Sequence, residues 1–324
     1  MIHWIVRTIL CACVAIGSIF AHAAENQKGA TIGQVLFSTP SNARPWDEAF
    51  RGGLHDLGYV EGKNITIVVR YANGDSSQLP ALLKELVALH VDVLWVASAA
   101  VLAATEATKT IPIVCPAMGD PVDAGLVASL ARPGGNLTGL SWQGADSDPK
   151  RLELTTELVP GLRRLGLLFD YPTASTDLNA FRRAARSAGV TTLKTFQARN
   201  LEEIEVALKA IDRESLQALI VWNSPLLGLH RKAILHSTGH RLPVIVDGRE
   251  FAEVGALISY APNGYDLYRR SATYVDKILK GAKPGDLPIE QPTKFELIVN
   301  LRAAKLLGII VPEAILLRAD EVIR

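Results

Sequence analysis

The chain has 324 residues and is 48% hydrophobic, which is enough for two domains of ordinary size, each with a sizeable core. Its 34 basic and 33 acidic residues leave a formal net charge of +1. This balance argues against nucleic acid and against an anionic membrane surface as partners.

The first two dozen residues have the pattern of a secretory signal peptide. One cation, Arg7, precedes an uncharged run over residues 8–24 that contains Ala21-His22-Ala23. Small residues suit a cleavage site, and the apolar core is shorter than the ~20 residues of a membrane span. We therefore expect residues 1–23 to be removed and the mature protein to be periplasmic, soluble and without a membrane anchor.

A first set of alternating strands and helices follows this segment. Buried apolar runs predict strands at 31–37, 65–69, 91–96, 111–115 and 137–140. Helical spacing of apolar residues predicts helices at 45–57, 79–87, 99–107 and 126–130. In the first helix, Pro45 suits the first helical position, and Gly58 ends the helix.

The alternation starts again after a connecting helix at 150–158. Strands are predicted at 165–169, 191–196, 216–221, 244–246 and 256–260, and helices at 177–188, 201–211 and 226–236. A long helix at 265–279, a Pro-rich linker at 283–292, a last strand at 295–299 and a helix at 301–307 complete the chain.

The continuous apolar strands predict an α/β fold with two Rossmann-like lobes. Such strands are parallel and buried on both faces, and their crossover helices flank each sheet. We expect residues 24–144 with about 262–290 to form the first lobe, and 145–261 with about 291–324 to form the second. Because several chain crossings join the lobes, a hinge can close them around a central cleft.

One cysteine remains after removal of the signal peptide. Cys11 and Cys13 lie in that segment, so no intramolecular disulfide is expected despite export. Cys115 ends a predicted buried strand, which favours a buried structural thiol. The alternative, a nucleophile, would need a histidine partner that the sequence does not indicate.

Catalytic signatures are missing from the sequence. No dinucleotide fingerprint follows the first strand, and no P-loop, nucleophile elbow or HExxH motif occurs. The spacing of His230, His236 and His240 does not place all three on one helical face, so no metal is expected. We therefore predict a binding protein without cofactor rather than an enzyme.

Candidate ligand-binding residues in the first lobe follow predicted strand ends, where open α/β sheets bind ligands. They are Ser38, Thr39, Ser98, Ala99 and Asp120. Small and hydroxyl residues there let backbone N–H groups meet a ligand carboxylate. Two alternatives stay open: Ser98 can be a helix N-cap, and Asp120, which precedes a proline, can form a turn.

The matching candidates in the second lobe are Tyr171, Asn223 and Asp247. Asn223 and Asp247 can pair with an amino or amide group of the ligand. An ion pair between Asp247 and Arg249 is the competing interpretation. Tyr171 could stack on an aromatic ligand together with Trp46, although the helical apolar stripe favours core packing for Trp46.

Pairs of loop carboxylates could be interpreted as an acid and a base. Asp247 with Glu250, and Asp120 with Asp123, are such pairs. Nothing in the sequence selects them from ordinary loop residues.

Several motifs along the mature chain point to one family. They are GYVEGKN at 58–64, DPV at 120–122, GLV at 125–127, RPGGN at 132–136, KRLEL at 150–154, QPTKFEL at 291–297 and RADEVI at 318–323. Together they resemble the ABC transporter substrate-binding proteins of the tryptophan/tyrosine type, over nearly the whole mature chain.

The resemblance implies a type I periplasmic-binding-protein fold, a monomer that gives its solute to an ABC permease in the membrane. It also implies an amino-acid-like ligand, with aromatic amino acids as candidates. Many relatives have Asn-Pro where this chain has Asp170-Tyr171-Pro172, a departure that bears on ligand identity. A sensor that presents its ligand to a signalling partner and an exported α/β enzyme are the alternative functions.

Overall fold

A computed structural model describes residues 29–142, 147–170, 178–238 and 241–324. The predicted signal peptide lies outside these residues. Within them, the strands form one five-stranded and one seven-stranded sheet, and helices pack on both faces of each. The predicted α/β fold with two lobes is confirmed. No helix in the described ranges is both long and apolar enough to cross a bilayer.

The first sheet is entirely parallel and has the strand order β2-β1-β3-β4-β5. Its strands are β1 (Ala30–Leu36), β2 (Ile65–Tyr71), β3 (Val93–Val96), β4 (Ile113–Met118) and β5 (Leu137–Ser141). The helices of this half of the chain are α1 (Pro40–Asp56), α2 (Leu79–Ala88) and α3 (Val101–Ala107). A short 3₁₀ turn, Ser98–Ala100, precedes α3.

The second sheet has the order β12-β11-β10-β9-β8-β6-β7. Its strands are β6 (Arg164–Asp170), β7 (Thr192–Ala198), β8 (Ala218–Val221), β9 (Val244–Val246), β10 (Ile258–Pro262), β11 (Phe295–Asn300) and β12 (Glu321–Ile323). The helices are α4 (Asp148–Leu158), α5 (Leu178–Ser187), α6 (Leu201–Arg213), α7 (Pro225–Leu229), α8 (Arg231–Thr238), α9 (Arg249–Ala252), α10 (Gly264–Leu279), α11 (Leu301–Leu307) and α12 (Glu313–Leu316).

One helix from the second half of the chain returns to the first sheet. Helix α10 follows β10 but packs against α1, β4 and β5. Residues 287–290 then run beside β5, where Ser141 N–H donates to Glu290 O at 2.8 Å. The chain next enters β11 of the second sheet. These contacts support the lobe boundaries that were predicted from the sequence, and we propose the same boundaries for the folded protein.

The side chain of Cys115 is fully buried in the first lobe, as expected for a structural thiol. Burial raises the pKa of this thiol to about 12, so the thiol is protonated at neutral pH. It lies within β4, which ends three residues later at Met118, and not at a strand end as predicted.

Two predicted helices are wrong in extent. Helix α1 begins at Pro40, five residues before the predicted start, because its first turns pack Ala43 into the core. The predicted helix at 226–236 is two helices that meet at His230.

A third predicted helix, at 126–130, is absent. Leu126 and Val127 both donate their backbone N–H groups to Pro121 O, while Ala128 N–H donates to Pro133 O. The neighbouring turns therefore take the hydrogen bonds that a helix would need.

The end of the second sheet also differs from the prediction. Strand β11 is antiparallel to β10, and β12 adds a further strand beyond the one predicted as last. The second sheet therefore has seven strands, one more than the six predicted at 165–169, 191–196, 216–221, 244–246, 256–260 and 295–299.

Candidate ligand-binding site

The carboxyl ends of β8 and β9 bring two of the sequence-predicted residues together. These strands are neighbours, with Val221 opposite Val246. Two residues beyond β8, Asn223 donates its backbone N–H to Asp247 Oδ1 at 2.6 Å. Asn223 and Asp247 therefore lie at one point on the edge of the second sheet, where ligands of α/β proteins bind.

Both carboxylate oxygens of Asp247 have partners inside the protein. The side chain is buried, and its Oδ2 lies 3.7 Å from Nη1 of Arg151, whose own side chain is fully buried. The predicted alternative, an ion pair with Arg249, is wrong because Arg249 pairs with Glu321 at 2.7 Å. Asp247 therefore orients Asn223, and its contact with a ligand stays a prediction.

Arg151 joins several elements beneath this point. It forms an ion pair with Asp148 and donates to Ser147 Oγ at 2.5 Å. Trp222, directly after β8, also donates its Nε1–H to Asp148 Oδ1 at 2.9 Å. Burial raises the pKa of Asp148, and the guanidinium of Arg151 opposes that rise. The network fixes the start of α4 to the ends of β8 and β9.

Glu250, in the first turn of α9, supplies the free carboxylate oxygen. Its Oε1 accepts from Asn223 Nδ2 at 2.7 Å. Its Oε2 and Asn223 Oδ1 are both buried without a hydrogen-bond partner in the described ranges. A Cβ on Gly248 would lie 2.6 Å from Asn223 Nδ2 and 2.8 Å from Glu250 Oε1, so the pair can meet only beside a glycine.

Several charges and dipoles act on the Glu250 carboxyl group. Desolvation is the largest effect and raises its pKa. A backbone hydrogen bond, the Asn223 amide and the charge of Arg231 lower the pKa, while the charge of Asp247 raises it. The net direction is upward, so this carboxyl group holds its proton at higher pH than an exposed glutamate does.

Arg231 connects the two lobes at this site. Its Nη1 donates to Gly228 O at 2.8 Å and to Asn42 Oδ1, on α1 of the first lobe, at 3.2 Å. Asn42 in turn donates through Nδ2 to Thr39 Oγ1 at 3.2 Å. The sequence-predicted Thr39 thus belongs to a hydrogen-bonded chain that reaches the second lobe. Arg231 Nε is buried without a partner among the described residues.

Aromatic side chains from α1 and α10 lie beside these polar groups. The ring of Trp46 has its centroid 4.6 Å from that of Tyr265 and 4.8 Å from that of Tyr268. Trp46 therefore packs on its own chain, as the apolar stripe indicated. Burial, followed by the charges of Glu253 and Glu250, raises the pKa of Tyr265 to about 12.

Two serines lie at the ends of neighbouring strands of the first sheet. Ser38 and Ser98 follow β1 and β3, and both are half-buried. No hydrogen bond of either hydroxyl is found in the part of the chain that the structure describes. Ala97, and not Ser98, is the N-cap residue of the 3₁₀ turn, and its side chain makes no capping bond. Ala99 is exposed next to Ser98.

Asp120 forms the turn that the sequence analysis left open as an alternative. Its Oδ1 accepts the backbone N–H groups of Val122 at 2.9 Å and Asp123 at 3.0 Å, and the residue is exposed. Tyr171 lies outside the described residues. Across the described ranges, no group of three His, Cys, Asp or Glu side chains could hold a metal ion.

From the sequence, Glu250 was considered only as an acid–base partner of Asp247, and Arg231 and Asn42 were not predicted as parts of the site. Glu250 follows a strand end closely, just beyond Gly248, and that position is the signal that could have selected it. Arg231 and Asn42 lie within helices, where polar residues usually face solvent, so no sequence signal marks them.

A sequence model described as ABC transporter substrate-binding protein matches residues 36–323. Among curated proteins, a tyrosine-binding protein of Clostridioides difficile is 27% identical over 273 residues, which is 78% of this chain and 74% of that protein.

Two solved structures are similar in both fold and sequence. The ABC domain in complex with L-Trp from Streptococcus pneumonia has a TM-score of 0.85 at 28% identity, covering 91% of this chain and 100% of that one. A conserved domain protein from Vibrio cholerae has a TM-score of 0.84, also at 28% identity, with coverage of 91% and 100%.

Proposed function

The chain belongs to the ABC transporter substrate-binding protein family, and from that premise we propose that it captures an aromatic amino acid between its two lobes. Members of this family bind substrates and are not enzymes, so we propose a role without catalysis. Two relatives support the ligand class: one is named a tyrosine-binding protein, and the other was solved with L-Trp.

One observation in the structure carries this proposal. Asn223 Oδ1, Glu250 Oε2 and Arg231 Nε are buried without hydrogen-bond partners among the described residues, and Arg231 connects this cluster to Asn42 on α1 of the first lobe. Buried polar groups are almost always hydrogen-bonded, so such a cluster is typical of a ligand-binding site. Trp46 lies on α1 one turn after Asn42 and packs on Tyr265, and an aromatic ligand side chain could add to this pair of rings.

The direct test is calorimetry on the purified mature chain with L-tryptophan, L-tyrosine and L-phenylalanine. We expect one site per chain and a rise in melting temperature with ligand concentration, since a ligand that binds the native state stabilises it by mass action. L-lysine and L-glutamate serve as comparisons. If none of the three aromatic amino acids binds, the proposed ligand class is wrong.

Export and delivery to a permease complete the proposed function. The N-terminal pattern and the family support cleavage after residue 23 and action in the periplasm as a monomer. N-terminal sequencing of the periplasmic fraction and light scattering would test these points. Loss of uptake of the labelled amino acid in a strain lacking the protein, restored by re-expression, would test delivery.

A further inference from the structure

The second-lobe side of the candidate site holds more acceptor atoms than donors. Asn223 Nδ2 and Glu250 Oε1 satisfy each other at 2.7 Å. Asn223 Oδ1 and Glu250 Oε2 remain, both buried and both without a hydrogen-bond partner in the residues that the structure describes. Because an unmade hydrogen bond to a buried acceptor costs free energy, both oxygens require a donor from outside the protein.

The donors nearby in the protein do not fill this need. Arg231 donates through Nη1 to Gly228 O and to Asn42 Oδ1, and its buried Nε has no hydrogen-bond partner among the described residues, so neither nitrogen donates to the two oxygens. The hydroxyl groups of Tyr265 and Tyr268 make no hydrogen bond within the described ranges.

We propose that Asn223 Oδ1 and Glu250 Oε2 form the subsite for the ligand's protonated amino group, so that the protein selects primary amines over deaminated analogues. This inference rests on the proposed function, and it assigns one end of the ligand to named atoms. The rest of the ligand then extends toward α1 and α10.

An ammonium group matches this subsite in both hydrogen bonding and charge. It carries three N–H donors and no acceptor, so it can satisfy both oxygens at once. Its charge pairs with the Glu250 carboxylate, which is buried and therefore weakly screened. A ligand carboxylate placed against Asn223 Oδ1 and Glu250 Oε2 would meet two acceptors and no donor at either of these atoms.

Calorimetry with matched ligands tests the subsite. L-tryptophan is compared with indolepropionate, which has the same ring and carboxylate but no amino group, and the corresponding pairs are used for L-tyrosine and L-phenylalanine. We expect the deaminated analogue of the tightest amino acid to bind at least about 100-fold more weakly, because a site built for a polar group rejects a ligand that lacks it.

One variant and its matched control test whether Glu250 causes the preference for a ligand with an amino group. In Glu250→Gln, we expect the amino acid to bind about 30-fold or more weakly, while the deaminated analogue binds as it does to the unchanged protein. The matched control is Glu253→Gln, the same chemical change one turn later at an exposed position. It should bind both ligands normally, and circular dichroism melts verify that both variants fold.

The results of these experiments distinguish an error in the ammonium subsite from an error in the proposed binding function. If an aromatic amino acid and its deaminated analogue bind equally well, and Glu250→Gln weakens neither, the ammonium subsite is wrong while the binding function stands. If no aromatic amino acid binds, both proposals are overturned.

Discussion

Asn223 and Asp247 meet at the carboxyl ends of two neighbouring strands, where the Asn223 backbone N–H donates to Asp247 Oδ1 at 2.6 Å. This bond places the Asn223 amide against Glu250, and the Asp247 carboxylate is in turn held beside Arg151. The geometry of the candidate ligand-binding site therefore depends on the charge of Arg151, whose side chain is fully buried beneath the site.

Replacement of Arg151 should destabilise the protein strongly. Arg151→Met leaves the buried carboxylates of Asp148 and Asp247 without their shared cation, and removal of one partner from a buried ion pair costs about 3–5 kcal/mol. Urea denaturation would measure the loss. The control is Lys150→Met, whose ammonium group pairs with Glu153 at the surface, and its free energy of unfolding should change by less than about 1 kcal/mol. Equal effects of the two variants would contradict the assigned role.

The contact between Arg231 and Asn42 should favour the closed arrangement of the lobes. In Asn42→Ala, the bond from Arg231 Nη1 is lost, and we expect weaker ligand binding by about three- to tenfold, mainly through faster dissociation. Stopped-flow fluorescence would resolve the two rates. Lys232→Ala, at the exposed position after Arg231, is the control and should leave both rates unchanged. A slower association rate with unchanged dissociation would contradict this prediction.

Ligand affinity should fall at low pH because of Glu250. Burial raises the pKa of this carboxyl group in the free protein, and a bound ammonium group would lower it. Above the raised pKa the carboxylate is ionised and affinity is full. Below it, ligand binding must release a proton, so affinity falls by up to about tenfold per pH unit.

Calorimetry in buffers of different ionisation enthalpy would detect this proton release. Arg231 and Asp247 also act on Glu250, but Glu250→Gln removes the titrating group and should remove the proton release as well. Proton release that persists in that variant would assign the titration to another group.

The absence of a side chain at Gly74 should favour closure of the lobes. Its φ is +85°, and a Cβ there would lie 2.6 Å from Leu229 Cδ2 on α7 of the second lobe. Gly74→Ala should therefore weaken ligand binding in addition to the ~1 kcal/mol backbone penalty on stability. Gly58→Ala is a matched control, with φ of +87° and no atom within 4 Å of the added Cβ. It should lose similar stability but bind ligand normally, as calorimetry and thermal melts would show.

Local pattern was sufficient to predict most of the fold. The strand at 244–246 was predicted with its observed bounds because a short apolar run between polar loops is typical of a buried strand. The helix predicted at 126–130 was wrong because Pro121 and Pro133, at either side, accept its backbone hydrogen bonds. The antiparallel direction of β11 is set by where the preceding linker ends, which periodicity does not reveal.

The site was predictable only in part, and for a physical reason. The position of Asn223 and Asp247 at one edge of the sheet was predictable because each follows a strand end. Arg151 was missed because a lysine or arginine in a helix usually faces solvent, and only tertiary packing buries this one. The free oxygen of Glu250 likewise results from contacts between distant segments. Ligand contacts stay predictions for all eight candidate residues, Ser38, Thr39, Ser98, Ala99, Asp120, Tyr171, Asn223 and Asp247.

The position of Cys115 allows unfolding of the first sheet to be measured by alkylation of its thiol. The thiol is fully enclosed in β4 and protonated at neutral pH, so an alkylating reagent has neither a path to it nor a thiolate to attack. Modification must wait until the central strands of the first sheet separate. The labelling rate of the mature chain therefore measures how often that sheet comes apart, and a ligand that holds the lobes together should slow it in proportion to its occupancy.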